Sequence, residues 1–262
     1  MFHCRAFFLR QKNKCMKADY SRYFLLIILL LMPAFLNTKA QVRLSSYIEA
    51  GENNVSDGLY IKSSFLGDYT FGKTRIEAGS QFDLLGAGPG VFTGVAAAIA
   101  REFSLRRFIY EVEGFYMYST FSELVHESNL GILINVERDH FTYKLGADFR
   151  TYRITDAAAD SFDIRSDRRL HENWNIVYLV SYSLKPAGNS WNTGIAITNI
   201  DHFLVNQESN PMLYIYGSYA VSSPLELYTE VWYKGAGSLN ISANYFGFFI
   251  RTGLIWKIHT GR

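Results

Sequence analysis

Residues 245–258 read Tyr-Phe-Gly-Phe-Phe-Ile-Arg-Thr-Gly-Leu-Ile-Trp-Lys-Ile, and the alternation in this stretch decides the fold. Successive side chains of a strand point to opposite faces. One face carries no charge and comprises Phe246, Phe248, Ile250, Thr252, Leu254, Trp256 and Ile258. The other face carries Arg251 and Lys257. This pattern is typical of a strand with lipid on one side and a polar lumen on the other, and it predicts a membrane-spanning strand.

Two further segments alternate in the same way. In residues 141–152, aromatic and aliphatic side chains share one face, while Lys144, Asp148 and Arg150 share the other. The segment Leu225–Lys234 repeats the pattern. A soluble sandwich would also alternate, with its apolar face inward. The aromatic content of the apolar faces and the length of the strands favour the membrane.

The whole chain can be divided into twelve predicted strands. They lie near residues 43–51, 58–68, 73–84, 90–103, 107–119, 128–137, 141–153, 172–185, 191–200, 211–222, 225–235 and 245–258. The count is even, as in bacterial barrels, and most strands reach the ~9–11 residues that cross a bilayer. The sequence therefore predicts an all-β fold: a single closed antiparallel transmembrane β-barrel of about 12 strands with meander topology.

The connections between these strands alternate in length. The predicted short set is 69–72, 104–106, 138–140, 186–190 and 223–224. The other set is longer on average and comprises 52–57, 85–89, 120–127, 154–171, 201–210 and 236–244. Periplasmic turns of such barrels are short and outer loops are long, so we expect both termini in the periplasm.

Residues 1–40 resemble an export signal. A basic region precedes an apolar run at 24–36, and Thr38-Lys39-Ala40 offers small residues for cleavage before Gln41. The alternative is a membrane anchor, but the run is shorter than the ~20 residues of a spanning helix. We therefore expect a cleaved signal peptide at 1–40 and a barrel at 41–262.

Loss of this signal changes both charge and cysteine content. The signal holds seven of the 26 basic residues and one of the 24 acidic residues, which leaves 19 against 23 and a net charge of −4. Because no basic stripe remains, we expect no nucleic-acid partner. Cys4 and Cys15 both lie in the signal, so a disulfide framework and a thiolate metal site are excluded from the mature chain.

The pattern over 41–262 resembles the small outer-membrane barrels of Gram-negative bacteria. That resemblance implies a porin-like protein of the cell outer membrane, in contact with membrane lipid and lipopolysaccharide. Other envelope proteins are further candidate partners, and neither a cofactor nor a metal is implied.

Strand parity also predicts which charged side chains enter the lumen. They are Glu49, Lys62, Arg75, Glu77, Gln81, Asp83, Glu111, Glu113, Glu137, Lys144, Asp148, Arg150, Glu226, Glu230, Lys234, Arg251 and Lys257, with one polar amide among them. No excess of either sign marks a selective constriction. We expect ion pairs that fill a narrow barrel, with a narrow polar path for a small solute as the alternative. The predicted function is a non-enzymatic small-solute pore or a structural or surface-interaction component.

An enzymatic alternative comes from His126-Glu127-Ser128-Asn129. The order His-x-Ser-Asn resembles the motif of the outer-membrane lipid A deacylases and phospholipase A, in which the histidine is the general base and the serine the nucleophile. Residues two apart on a strand share a face, so imidazole and hydroxyl can meet. By parity His126 and Ser128 face lipid, and the resemblance implies an outer-leaflet acyl hydrolase. No third member of such a triad can be named.

The loop at 154–171 interleaves two kinds of charge. Its aspartates are Asp156, Asp160, Asp163 and Asp167, and its arginines are Arg165, Arg168 and Arg169. The spacing of a calcium-binding EF-hand is absent, and the arginines offer the aspartates partners. We expect a solvated, briefly helical outer loop, with arginine contacts to lipopolysaccharide phosphates as an alternative.

Overall fold

The computed structural model describes residues 40–53, 58–85, 92–105, 108–122, 125–165, 168–184, 190–206, 210–234 and 247–260. Within these ranges the chain forms twelve strands and one short helix. The strands are β1 (Ala40–Asn53), β2 (Gly58–Phe71), β3 (Thr74–Asp83), β4 (Phe92–Leu105), β5 (Phe108–Ser122), β6 (Val125–Arg138), β7 (Phe141–Ile154), β8 (Leu170–Leu184), β9 (Trp191–Thr198), β10 (Met212–Ala220), β11 (Leu225–Lys234) and β12 (Gly247–Thr260). The predicted signal at 1–39 lies outside the described residues.

The twelve strands close into one antiparallel barrel. Each strand pairs with its neighbours in sequence, and β1 pairs with β12 to close the sheet. The closing register places Glu49 opposite Arg251. A closed sheet leaves no edge along the seam, which membrane-spanning strands require. The predicted all-β meander barrel of twelve strands is therefore confirmed.

The two faces of the wall are as the alternation predicts. On β12, Phe248 is 64% exposed on the outside, whereas Arg251 is 1% exposed on the inside. The outward residues Leu130, Ile132 and Ile134 of β6 are likewise exposed. Large apolar side chains thus cover the exterior, which is the arrangement that lipid rather than water favours.

The two ends of the barrel differ. The end at which β1 begins and β12 ends, here the short-turn end, has the two-residue turns 72–73 and 139–140. The opposite end, here the long-loop end, carries the connections 155–169 and 199–211. Helix α1 (Asp156–Ser161) lies in the first of these, and the Thr155 side chain caps it by accepting from Ala158 N. The predicted brief helix is thus confirmed.

The wall is shorter beside β8. Strand β8 pairs with β7 from Leu170 onward, but it pairs with β9 only from Leu179, opposite Thr198. Beyond that level Asn199 takes the place of a neighbouring strand. Its Oδ1 accepts from Tyr178 N at 2.8 Å and its Nδ2 donates to Ile176 O at 2.7 Å. One side chain therefore satisfies backbone groups at the sheet edge that a strand would otherwise pair.

The segment 199–206, here the lumenal loop, turns into the barrel. Its apolar side chains Ile200, Phe203 and Val205 are buried. They belong to one cluster with inward residues of the wall, namely Tyr47, Leu66, Ala96, Phe115, Met117, Leu133 and Val177. Parity predicts strand residues at 199–200 and an outer loop at 201–210, and that prediction is wrong for 199–206. These three apolar side chains are more stable buried inside the barrel than exposed to water outside it.

No helix in the described ranges is long and apolar enough to cross a membrane.

Candidate functional site

The lumenal loop is held by Arg251. The Arg251 guanidinium donates to both carboxylate oxygens of Asp201, at 3.0 and 2.5 Å. It also donates to Glu49 at 2.7 Å and to Glu230 at 3.2 Å. The planar guanidinium and the carboxylate form a bidentate pair, which fixes the orientation of the two groups as well as the distance between them. The arrangement joins the loop to β1, β11 and β12.

Aromatic rings surround the same guanidinium. The Arg251 Cζ lies 4.4 Å from the Tyr47 ring centroid and 5.2 Å from that of Trp232. Trp232 stacks in turn between Tyr214 and Phe249. Ring faces attract a cation, and they exclude water from its ion pairs. The site is therefore a rigid, desolvated anchor.

The anchor keeps Asp201 ionised. Burial alone would raise the pKa of Asp201, but the charge and hydrogen bonds of Arg251 outweigh it and lower that pKa to about 2. A carboxylate with such a partner stays charged at every pH at which the barrel functions. The ion pair is thus permanent under physiological conditions.

The neighbouring His202 faces the opposite wall. Its Nδ1 lies 3.6 Å from Glu77 Oε1, and its side chain is 46% exposed to the lumen. Burial lowers the pKa of His202, but the attraction of the nearby Glu77 carboxylate outweighs that effect and raises the pKa above its usual value. The loop therefore carries one fixed charge and one that titrates.

Below the lumenal loop a cavity of about 950 Å³ extends to the short-turn end, and it is here called the chamber. Its wall contains a network around Arg75, which contacts Glu77 at 3.0 Å, Glu111 at 2.9 Å and Glu113 at 2.8 Å. Arg43 Nε donates to Asp68 Oδ2 at 2.6 Å in the same wall. A polar, water-accessible space thus occupies this half of the barrel.

The half of the lumen toward the long-loop end is filled with side chains. Glu127 and Arg150 are buried and form an ion pair at 2.5 Å, and Asn129 donates to Glu127 at 2.9 Å. Asn175 donates to Asp148 at 3.1 Å nearby. The prediction of ion pairs that fill a narrow barrel is confirmed here, whereas the chamber half retains open space.

The two residues of the hydrolase alternative lie on the outer surface. The predicted strand at 128–137 begins three residues earlier, at Val125, so His126 and Ser128 are both in β6 rather than at a loop tip. His126 Nδ1 lies 3.1 Å from the hydroxyl of Tyr118 on β5. Asn129 points to the lumen with Glu127, away from that surface. The structure places the pair on the predicted face, and the partner it gives His126 is a tyrosine.

The charged loop at the long-loop end pairs internally. Arg169 contacts Asp156 at 3.2 Å and Asp160 at 3.4 Å. The expectation that arginines serve as partners of the aspartates is confirmed for these three residues. Asp167 lies outside the described residues. Across the residues the structure describes, His, Cys, Asp and Glu side chains form no group of three placed to hold a metal ion.

Sequence reasoning missed the lumenal loop and with it Asp201, His202 and Asn199. The available signal is the run Ile200-Asp201-His202-Phe203-Leu204-Val205, which is too apolar for a solvated loop. The alternation pattern did not reveal this run as a loop inside the barrel, because the run continues the alternation of β9 for two residues before it turns inward. Only the closed barrel provides the surface against which those apolar residues pack.

Comparisons with known proteins concern the fold. No protein-family model and no curated protein matches the chain. The barrel is similar to the solved structure of NanC porin, with 8% identity, a TM-score of 0.52, and 83% of this chain and 100% of that chain covered. It is similar to KdgM porin with 8% identity, a TM-score of 0.50, and 83% and 99% covered.

Outer membrane phospholipase A from Escherichia coli matches with 10% identity and a TM-score of 0.46, over 86% of this chain and 96% of that chain. That score carries no argument about activity. At identities this low, the two porin matches show the architecture and not the solute. The chain therefore has the closed antiparallel fold of the outer-membrane β-barrel proteins.

Proposed function

We propose that the protein is a non-enzymatic pore of the outer membrane, restricted in width and permeable to small solutes. The observation that carries this proposal is the lumenal loop, which lies inside the barrel above a charged chamber of about 950 Å³. A barrel that served only as a scaffold would be expected to fill its interior, because ionised groups are costly to bury without water.

The proposed orientation follows from the two ends. We infer that the short-turn end faces the periplasm and the long-loop end faces the outside, since outer-membrane barrels carry short turns on the periplasmic side. The chamber then opens to the periplasm. The exterior contacts membrane lipid, and the long-loop end contacts lipopolysaccharide. Export through a cleaved signal peptide at 1–40 belongs to the same proposal.

The loop is held inside the barrel by noncovalent contacts. Its ends join β9 and β10, and its interior contacts are apolar packing and the Arg251–Asp201 pair. Solute passage requires a path beside the loop or a shift of the loop. Loop position therefore sets conductance.

Planar-bilayer recording tests this proposal. The wild-type barrel should give small conductance steps, and a variant with residues 200–205 replaced by a Gly/Ser linker should give larger ones. The matched control replaces residues 160–165, which also lie at the long-loop end, and should leave the steps unchanged. If folded wild-type and loop-exchanged barrels both give no steps, the pore proposal fails.

A second candidate function is an outer-leaflet acyl hydrolase that uses His126 and Ser128. The observation that favours it is the placement of both side chains on the lipid-facing surface of β6. Activity would require a nitrogen of the His126 imidazole to accept the Ser128 proton, and Nε2 could do so while Nδ1 stays at the Tyr118 hydroxyl. Release of fatty acid by the wild-type protein and its loss in Ser128→Ala would establish this function.

A further inference from the structure

We propose that the chamber binds small organic cations with an apolar body, and that the solutes of the pore are of this class. The transport half of this inference rests on the proposed function, whereas the binding half does not.

Charge is the first observation. Among the residues that the structure describes, nine carboxylates line the chamber against five Lys or Arg side chains, an excess of four negative charges in that set. Arg75 is shared by three glutamates, and Arg251 by three carboxylates. No arginine in these two groups can neutralise all of its partners. The low-dielectric wall of a barrel focuses the resulting field into the lumen and favours cations there.

A buried carboxylate supplies the second observation. Asp68 lines the chamber and is 5% exposed. Its Oδ2 accepts from Arg43, but its Oδ1 accepts no hydrogen bond from the described residues, and Arg75 Nη1 is 3.5 Å away. A buried oxygen without a donor costs free energy unless something else occupies the space beside it.

The strand register sharpens this point. Asp68 on β2 lies directly opposite Glu77 on β3. Like charges placed opposite each other on neighbouring strands are destabilising. Arg75 Nη1 lies within ion-pair distance of both carboxylates and offsets part of this repulsion, but Asp68 Oδ1 still accepts no hydrogen bond from the described residues, and a further cationic donor there would supply one. The wall therefore has an acceptor ready for an ammonium, amidinium or guanidinium group.

The chamber also has an apolar surface. Phe115, Met117, Leu133 and Ile200 line it on the side of the lumenal loop. These side chains are largely buried, so a ligand that places its charge on the acidic wall would meet only the part of each that faces the chamber. The volume is in the range of sites that enclose small organic molecules. An inorganic cation would use the acidic wall but not this surface.

Three ligands of one shape test the proposal: benzamidinium, benzamide and benzoate. They share a ring and differ in charge, and their affinity for the folded barrel in detergent can be measured by calorimetry. We expect benzamidinium to bind at least about tenfold more tightly than benzoate, with benzamide between them. Because the excess charge lies in a water-accessible space, added salt should weaken the binding of benzamidinium in the wild-type protein.

Variants locate the site. Glu111→Gln combined with Glu113→Gln should weaken benzamidinium binding severalfold, whereas Glu172→Gln on the outer surface of β8 makes a matched change outside the chamber and should not. If the double variant does not fold, the salt dependence of benzamidinium binding by the wild-type protein still tests the proposal. Binding of benzoate as tight as that of benzamidinium, or no binding of benzamidinium, overturns the proposal.

Conductance separates this inference from the pore. Binding of benzamidinium without conductance refutes the proposal of a pore and supports the proposal that the chamber binds cations. Conductance whose reversal potential in a salt gradient indicates no preference for cations refutes the cation-selective chamber and keeps the pore. Conductance with preference for cations supports both.

Discussion

Arg251 of β12 and Asp201 of the lumenal loop are 50 residues apart in sequence and meet through two hydrogen bonds, at 3.0 and 2.5 Å. The pair is buried among aromatic rings, and the same guanidinium also contacts Glu49 and Glu230. It links the loop to the seam where the barrel closes. Loop position and barrel integrity are therefore coupled through one side chain.

Replacement of Arg251 by alanine should release the loop. Asp201, Glu49 and Glu230 would lose their shared partner, and removal of one member of a buried ion pair costs ~3–5 kcal/mol. We expect a lower unfolding midpoint in urea and larger conductance steps. Arg251→Lys is the control. It keeps the charge but not the bidentate geometry, so its effects should be smaller than those of Arg251→Ala. Unchanged conductance in Arg251→Ala would show that the loop is held by packing alone.

The pH dependence of conductance should follow His202. Its pKa is raised in the fold, so its attraction to Glu77 is complete below its unfolded pKa of ~6.5 and is lost as the pH rises through the raised value. The groups that face it are Glu77, Asp201 and Arg251. We expect conductance to increase as the pH rises above ~6.5 and through the raised pKa of His202, because the loop then loses this attraction.

Asp201 does not titrate in the pH range in which His202 loses its charge. Its pKa is lowered to about 2, so its stabilisation is present above the unfolded value and is lost only as the pH falls toward 2. His202→Gln should therefore abolish the increase in conductance that occurs as the pH rises above ~6.5. A variant that keeps the full pH response would assign it to another group.

Asn199→Ala should destabilise the barrel at the edge of β8. The change leaves Tyr178 N and Ile176 O without their partner, and an unsatisfied buried polar group costs ~1–3 kcal/mol. The unfolding midpoint should fall by a corresponding amount. Asn173→Ala changes an exposed asparagine of the same strand and should have little effect. Equal midpoints for the two variants would contradict the role given to Asn199.

Ile132→Arg should impair insertion of the barrel. Ile132 is exposed near the middle of β6, and a cation on the lipid-facing side at that depth costs ~2–4 kcal/mol. Folding into lipid vesicles can be followed by the shift in gel mobility of the unheated sample. Asn135→Arg places the same side chain toward the lumen and should insert normally. Equal yields of both would indicate that the outer face does not contact lipid.

Ser128→Ala should leave membrane lipids unchanged if the protein is a pore without enzymatic activity. The reason is structural: the hydrogen bond described for His126 joins its Nδ1 to the Tyr118 hydroxyl at 3.1 Å and does not include the serine. Mass spectrometry of lipid incubated with wild-type and variant barrels compares the released fatty acid. Release that depends on Ser128 would replace the favoured function by the hydrolase. His126→Ala provides the matched second variant.

Local alternation was enough to predict the wall. Phe248, Ile250 and Arg251 take opposite faces because the strand period is two, and this holds whatever the neighbouring strands are. The count of twelve strands followed from the same rule and from turn residues. His126 and Ser128 could be assigned to the outer face of the wall for the same reason, but the contact of His126 with Tyr118 could not, since that depends on the register between β5 and β6.

The amino-acid sequence alone thus determined the barrel, the inner and outer faces of its wall and the charged character of its interior, because each depends on residues that are neighbours in the chain. Only the tertiary structure decided that 199–206 enters the lumen, that Asp201 reaches Arg251, and that carboxylates outnumber cations around the chamber. Those relationships join strands far apart in sequence, and closure of the sheet is what brings them together. No periodicity along the chain encodes a distance across the lumen.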